Sequence, residues 1–523
     1  MPMLDWIGKD KVINHHNDVP YRVLDRQYSY DSNGQSTTDN DSQNMIIQGD
    51  NLEALKSLLP RYEGKVKCIY IDPPYNTGNE NWIYNDNVNS PQIQKWLGKV
   101  VGAESKDLTR HDKWLCMMYP RLKLLHKLLA DDGVIFISID DNEQANLKYI
   151  CDEIFGKQNY VTSLVWKKKN GGGNDSKYVA VEHEYVVMYG KKLSELNKIF
   201  IKYDDDYTSR YKEEDEKGKY FWDTFKRKSG KQYYPITCPD GTILENDENG
   251  EPISWLRSEQ RFLSDLEEGE VKLLKINNKW TVHFKQRMPV GYKPRSIITE
   301  NGTTSEGAND LKLIFSKNNV FDNPKPVALI SFLLKFKSDK NMIILDSFAG
   351  SGTTAHAVLN LNKSDGGNRK FILIEMLDYA DDITAERVKR VIKGYGEGKK
   401  AVEGTGGDFS FYKLGEQLLI DDELNENLPL ETIRKYIWFT ETRTDYLQPD
   451  NENPYFLGDL FNTDYYFYYE KDRLTTLNKD FLATFNRANE EYLIYADICT
   501  LSDEQLLKYN ITFKKIPRDI TKF

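Results

Sequence analysis

The sequence predicts an α/β architecture with a doubly wound, mostly parallel sheet, and three observations lead there. Short apolar runs alternate with helical patterns along most of the chain, as they do when parallel strands are joined by crossover helices. Several runs, such as VKCIYI (66–71) and GVIFISI (133–139), are apolar almost throughout, as strands inside a sheet covered on both faces are. One run, MIILD (342–346), leads through Gly350 and Gly352 into a helical stretch, a strand-turn-helix unit of open α/β sheets.

Taken in order, residues 31–43 (DSNGQSTTDNDSQ) are polar and read as a linker. IIQGD (46–50) is a short strand, and LEALKSLL (52–59) is a helix with Leu52, Leu55, Leu58 and Leu59 on one face. VKCIYI is a buried strand. Residues 81–112 are polar and irregular, a loop beside the strand's end. A helix over 113–130, the strand GVIFISI, a helix over 145–155 and the strands YVTSLVW (160–166) and EYVVMYG (184–190) follow. GGGNDS (171–176) reads as a hinge. KPVALISFLLKF (325–336) is helical, MIILD a strand, GTTAHAVLNL (352–361) a helix, KFILIEM (370–376) a strand and TAERVKRVIKG (384–394) a helix. The tail carries strand-like DYYFYY (464–469), EYLIYAD (491–497) and ITFKKI (511–516), with helical patterns at 431–439 and 479–485, and reads as a small α/β domain. The expected domains are an extension and linker (1–43), the first half of the main domain (44–191), an insert (192–305), the second half (306–410) and a C-terminal domain (411–523).

Two motifs carry the chemistry. IDPPYNTG (71–78) follows the apolar strand directly. Asp72 offers a carboxylate acceptor. Pro73 and Pro74 have carbonyls but no N–H, so the turn presents acceptors without competing donors. Tyr75 offers a flat ring on which a base can stack. Together these suit a planar exocyclic amine; a plain turn acid is the alternative for Asp72. The second motif, DSFAGSGTT (346–354), places Gly350 and Gly352 where the backbone approaches a ligand closely and a helix N-terminus adds free N–H groups. A tight turn with no ligand is the alternative, since the third glycine of a dinucleotide fingerprint is missing. If MIILD and VKCIYI are neighbours in the sheet, Asp346, Gly350 and Asp72 share one cleft.

The pair of motifs resembles the signatures of amino-methyltransferases that use S-adenosylmethionine. Their order, DPPY first and FAGSGT last, resembles the β group of DNA N6-adenine methyltransferases. More closely, the chain is similar to the Mod subunits of type III restriction-modification systems, through QGDNLEALKSLLP (48–60), YPRLKLLHKLLADDGVIFISIDDNE (119–143), VEHEYVVMYGK (181–191), GANDLKLIF (307–315), FDNPKPVALI (321–330) and DGGNRKFILIEM (365–376). The likeness covers about residues 44–395; residues 415–523 carry no motif of it. It implies a Rossmann-like methyltransferase fold, circularly permuted, with a target-recognition domain as the insert. It implies S-adenosylmethionine as cofactor, with Gly350 and Gly352 beside its amino-acid part, Asp346, Phe348, Ala349 and Thr353 nearby, and Glu375 on the ribose hydroxyls. Asp50 resembles the acid near the cofactor adenine, although an N-cap of the helix that follows accounts for it equally well. Asn323, Lys325 and Pro326 resemble the motif beside the methionine end.

The resemblance also implies the reaction. The N6 lone pair of adenine is conjugated with the ring and is a poor nucleophile. Acceptance of both N–H groups, by Asp72 and the Pro73 carbonyl, frees that lone pair toward a sulfonium methyl, and the transfer is governed by positioning. Asp at position 72 favours adenine over N4-cytosine. The base must swing out of the duplex. Trp166 is a second wall for it or a core residue. The implied partners are double-stranded DNA, a second copy in a homodimer, and a separate nuclease-helicase restriction subunit; no G-x-x-x-x-G-K-[ST] motif is present in this chain. An enzyme acting on RNA and a catalytically idle specificity subunit are the rivals.

The net charge of −10 argues against a uniformly basic nucleic-acid coat. The basic clusters WKKKN (166–170), KRKSGK (226–231) and KQRMPVGYKPR (285–295) fall in or beside the insert, and the tail is acidic. Each cluster is a phosphate site or a solvated surface. No run of about 18 apolar residues and no signal-peptide pattern appears, so the expectation is a cytoplasmic chain without a membrane span. Five scattered cysteines without a C-x-x-C predict free thiols in a reducing compartment and no metal site.

Overall fold

The computed structural model describes residues 4–77, 109–171, 176–420, 423–444, 446–450, 453–485 and 489–520, together with Lys95 and Gly98. Most of the 81–112 loop and residues 172–175 of the expected hinge lie outside the described residues. Two compact units emerge, one from residues 1–198 with 295–523 and one spanning Ile199–Pro294.

The first unit is built on an eleven-stranded sheet. In chain order its strands are β1 (Arg22–Asp31), β2 (Gly34–Ser36), β3 (Met45–Gln48), β4 (Val66–Ile71), β5 (Leu129–Ile139), β6 (Tyr160–Lys167), β7 (His183–Gly190), β8 (Ile297–Ile298), β9 (Ile343–Asp346), β10 (Lys370–Glu375) and β11 (Phe409–Gln417). Their spatial order is β8-β6-β7-β5-β4-β9-β10-β3-β11-β1-β2. The central six, β5-β4-β9-β10-β3-β11, are parallel. The hairpin β6-β7 adds antiparallel to one side and β1-β2 to the other.

Helices cover both faces. Helix α1 (Asn51–Tyr62) follows β3, α2 (Arg110–Leu128) precedes β5, and α3 (Gln144–Cys151) follows it. Their residues Leu55, Leu59, Trp114, Leu122 and Leu147 form one core with Ile69, Ile71, Ile135 and Ile137 of the sheet. Both entry points are fixed by side chains: Asp50 accepts from Leu52 N and Glu53 N, and Thr109 with Asp112 forms a reciprocal capping box. Helix α4 (Val327–Leu334) leads into β9, α5 (Thr353–Asp365) joins β9 to β10, and α6 (Glu386–Lys393) follows β10. Phe336, just past α4, meets Phe136 of β5 edge-on at 5.6 Å. From β4 the chain crosses outward to β5, and from β9 it crosses the opposite way to β10. The strand order therefore reverses between β4 and β9, the switch point beyond which α/β sheets bind ligands.

Three boundaries differ from the sequence expectation. Residues 1–43, expected as extension and linker, contribute β1 and β2 to the sheet. The expected start of the C-terminal domain at 411 cuts through β11, which pairs with β3. The compact insert is narrower than 192–305, because Ile297 and Ile298 pair with Val165 and Trp166 of β6. In each case backbone pairing joins the segment to a strand of the main sheet.

The second unit is an antiparallel sheet of Glu213–Asp215, Gly218–Thr224, Lys279–Arg287 and Val271–Ile276 with the helix Glu259–Glu267. Phe225, Ile236, Trp255, Phe262, Val282 and Phe284 form its core. In the tail, Phe456–Leu460, Thr463–Phe467, Glu491–Ala496 and Ile511–Lys515 form a mixed sheet, with the helix Leu430–Thr442 before it. Among the described residues, no helix is long and apolar enough to cross a membrane.

Candidate active site

The register sets the site. Ile344 lies opposite Cys68 and Leu345 opposite Ile69, so β4 and β9 end side by side and deliver Asp72 and Asp346 to the same edge of the sheet. The two sequence motifs, some 270 residues apart in the chain, are adjacent in space.

At the β4 end, Trp114 Nε1 donates to the Pro74 carbonyl at 2.6 Å. Pro74 is thereby fixed from below, and the Pro73 carbonyl remains the candidate acceptor of the turn. Asn76 closes the turn in the left-handed region at φ 57°, a conformation asparagine tolerates better than most residues. Its Nδ2 donates to Arg110 O at 3.2 Å and to Glu143. Glu143 is fully buried and also accepts from Asn146 Nδ2 at 2.8 Å, with His111 Nδ1 2.7 Å away. A buried carboxylate with this many partners is a rigid anchor.

Three charged side chains and one phenol surround the acceptor Asp72. Lys325 Nζ donates to both Asp72 oxygens, at 2.9 and 2.7 Å, and lies 3.5 Å from Glu184 Oε2. Lys168 Nζ holds Glu184 Oε1 at 3.0 Å. The Tyr75 phenol shares its proton between Asp72 Oδ1 at 2.8 Å and Glu184 Oε2 at 3.0 Å. Burial pushes the Asp72 pKa above the usual carboxylate value, with Glu184 adding to it and Lys325 and Tyr75 opposing. Burial also works against ionised Glu184, but Lys325 and Lys168 outweigh it and hold its pKa down. Burial works against the Lys325 ammonium too, and the two carboxylates outweigh it and raise its pKa. Lys325, expected beside the cofactor's methionine end, sends its ammonium to Asp72. A carboxylate this buried demands a counter-charge. Trp166 is fully buried and donates its indole N–H to Gly302 O at 2.9 Å, which assigns it to the core.

The β9 end is built differently. Asp346 turns back on its own loop, accepting from Phe348 N at 3.1 Å and from Thr354 Oγ1 at 2.5 Å. Gly350 and Gly352 have φ of 51° and 80°. A Cβ on Gly352 would lie 3.1 Å from the Thr384 carbonyl, and one on Gly350 3.1 Å from the Phe321 ring. Ala349 N donates to Ile374 O at 3.1 Å, tying the turn to β10. Glu375, at the end of β10, accepts from Gly350 N at 2.8 Å and Leu377 N at 3.1 Å. Burial raises Asp346 and Glu375 each to about 7. Thr353 Oγ1 donates to the Lys325 carbonyl at 3.3 Å and accepts from Arg387 NH1 at 2.8 Å. Phe348 is half-buried against the core. Asp50 caps α1 with one oxygen and stands 3.6 Å from Arg121 NH2 with the other. Pro326 is buried at the start of α4, and Asn323 is exposed with φ 49°.

A family model for N6/N4-type methyltransferases, described as DNA methylase, matches residues 66–386. The chain belongs to this DNA methylase family. It is 35% identical over 432 residues to the type III restriction-modification enzyme StyLTI Mod subunit of Salmonella typhimurium (strain LT2), a match that covers 74% of this chain and 62% of that relative. It is 32% identical over 444 residues to the EcoPI Mod subunit of Escherichia phage P1, covering 75% and 68%, and 32% identical over 395 residues to the type II methyltransferase M.KpnI of Klebsiella pneumoniae, covering 69% and 89%. The chain thus spans 62% of the length of the StyLTI subunit.

Sequence reasoning about this methylase missed Glu184, Lys168 and Arg387. Glu184 had a signal: it is a charged residue opening the apolar strand EYVVMYG, where an acid needs a partner. Arg387 is fully buried under the glycine turn, donating to Ser351 Oγ at 2.9 Å as well as to Thr353; in the sequence it is one of several basic residues on a helix. As a whole, the site sets a buried carboxylate and a carbonyl at one strand end, and a glycine turn with two buried acids at the next.

Proposed function

We propose that this chain is a site-specific DNA adenine-N6 methyltransferase, which transfers a methyl group from S-adenosylmethionine to an adenine flipped out of double-stranded DNA. The observation that carries the reading is the adjacency of β4 and β9, which puts the Asp72 acceptor beside the glycine turn. The residues at the turn fit the cofactor. Ser347 Oγ is buried with no hydrogen-bond partner among the described residues, beside a turn whose left-handed Gly350 and Gly352 let the backbone pass close to Phe321 and Thr384. Gly350 and Gly352 would border the amino-acid part of the cofactor, with Asp346, Phe348, Ala349 and Thr353 around it. Glu375 would take the ribose hydroxyls and Asp50 would face the cofactor adenine, while Asn323 and Pro326 line the approach beside Lys325.

When bound, the cofactor supplies an electrophilic methyl on a sulfonium. The chain does the rest by position. The Asp72 carboxylate and the Pro73 carbonyl accept the two N–H groups of the target amine and draw its lone pair out of conjugation. Swinging the base out of the duplex costs a few kcal/mol, and stacking on Tyr75 offsets about 1–3 kcal/mol of that. As the N–C bond forms, positive charge grows on the nitrogen next to Asp72, where a fixed carboxylate is most effective. Asp72 already holds an N–H of that amine and is placed to receive the proton it then loses.

The assembly follows the same reading: a homodimer that acts as the modification subunit of a type III-like system, with DNA cleavage left to a separate nuclease-helicase chain, and with the Ile199–Pro294 unit as the target-recognition domain. The test is transfer of a labelled methyl group to duplex DNA and to structured RNA, followed by nucleoside analysis. The expected product is N6-methyladenine in the duplex. Label on cytosine, or on RNA alone, contradicts the reading.

A further inference from the structure

The ammonium of Lys325 occupies the place that the reaction assigns to another nitrogen. It donates to both oxygens of Asp72, at 2.7 and 2.9 Å, and stands 5.0 Å from the centre of the Tyr75 ring. A target amine stacked over Tyr75 would bring its own nitrogen against one of these same two oxygens. Two nitrogens crowd one place between the carboxylate and the ring, so the lysine must give way. A second position is already provided: Glu184 Oε2 lies 3.5 Å from Nζ, and the other oxygen of Glu184 is held by Lys168. The lysine side chain is 9% exposed and that of Glu184 also 9%, so neither is a solvated surface group.

We propose that Lys325 is a built-in substitute for the target amine, a positioning residue that keeps Asp72 ionised and its acceptors filled until the incoming base displaces the ammonium onto Glu184. The inference rests on the methyl-transfer reading. The four groups Asp72, Glu184, Lys325 and Lys168 sum to zero charge, and moving the ammonium about 1 Å between two carboxylates preserves that sum. The swap therefore avoids the step that an unaccompanied arrival would require, exposure of a bare buried carboxylate. The lysine is also tied to the other half of the site, since its carbonyl accepts from Thr353 Oγ1 at the start of α5.

A pH profile tests this. The groups that act on the Asp72 carboxylate are Lys325, Glu184 and Tyr75, with Tyr70 on β4 itself and Asp346 at the end of the neighbouring β9; Lys168 and Asp140 bear on Glu184. With Lys325→Met the remaining ammonium, Lys168, stays on Glu184 and Asp72 loses its counter-charge, so Asp72 should take up a proton at neutral pH. A protonated Asp72 is a poor acceptor for the amine. At saturating cofactor, single-turnover transfer by Lys325→Met should be slow near neutrality and recover about tenfold or more between about pH 6.5 and about pH 9, whereas the wild-type rate under the same conditions changes by less than about threefold over that range. Lys325→Arg keeps the charge but grips Asp72 with two parallel bonds; it should leave the profile flat and raise KM for DNA. A Lys325→Met rate that is lowered equally at every pH, or is unchanged near neutrality, overturns the proposal. An infrared arm needs no activity. A protonated-carboxyl band should appear in Lys325→Met at neutral pH and vanish in Lys325→Met/Asp72→Asn, and its absence from the single variant overturns the proposal. Should the wild-type chain transfer no methyl group at all, the reaction assignment falls while the infrared arm still decides the ion pair.

Discussion

At the end of β4 the functional groups are ionised side chains held by other side chains, drawn from β4, β7, the segment after β6 and the segment before α4. One strand away, at the end of β9, they are backbone groups and acids that turn back on their own loop. The first half can change state by exchanging partners, as its two carboxylates and two ammonium groups are within reach of one another. The second half cannot exchange much: Gly350 and Gly352 sit in left-handed conformations with neighbours 3.1 Å from where a Cβ would stand. The difference teaches that one edge of a sheet can pair a rigid backbone turn with an adjustable charge network.

That contrast predicts separable damage. The largest effect belongs to Asp72→Ala, which removes the fixed carboxylate from beside the developing charge. Transfer should fall about a thousandfold while cofactor affinity, measured calorimetrically, stays within about threefold. Equal loss of both would erase the distinction between the halves. Gly352→Val should do the reverse. Its φ of 80° and the Thr384 carbonyl 3.1 Å away leave no room for a branched side chain. Cofactor affinity should fall at least about thirtyfold, with about 1–3 kcal/mol of folding stability lost, and unfolding by urea measures the second quantity.

The pH dependence of cofactor binding comes next. Asp346 and Glu375 are raised to about 7 by burial. Because their folded pKa is raised, they stabilise the fold fully below the ordinary carboxyl range and lose that contribution as pH rises through about 7. A cofactor whose hydroxyls need the Glu375 carboxylate runs the other way. Its affinity should tighten about tenfold between about pH 6 and about pH 8, and Glu375→Gln should flatten the profile. A wild-type profile that is already flat would place the cofactor's polar contacts elsewhere. The smallest effect is Tyr75→Phe. It keeps the stacking ring and loses only the phenol's bonds to Asp72 and Glu184, so transfer should drop by about threefold to tenfold, whereas Tyr75→Ala should cost appreciably more.

Much of this was legible in the sequence because it is local. Strands β3 to β7, β9 and β10 show as apolar runs, and both motifs can be read from consecutive residues, since a strand end and its turn are built from a few neighbours. Asp50 reads as a helix cap, and it is one. The partners of Asp72 could not be read the same way. Glu184 and Lys325 lie 112 and 253 residues further along the chain, and only the sheet order brings them together. FDNPKP (321–326) does not reveal which way a long side chain turns, so the bonds of Lys325 to Asp72 could not be read from it. The recruited strands β1 and β2 were missed for a different reason: their pairing supplies the order that their polar composition does not suggest.

The claim on which the rest stands is that one crevice holds a methyl donor at β9 and an everted adenine at β4. Mapping of modified bases in DNA from cells that express this chain, beside cells that express Asp72→Ala, tests it most directly. The account predicts N6-methyladenine at one short asymmetric sequence, absent from the Asp72→Ala cells. A modification that survives the substitution, or methylation at cytosine N4, would contradict it.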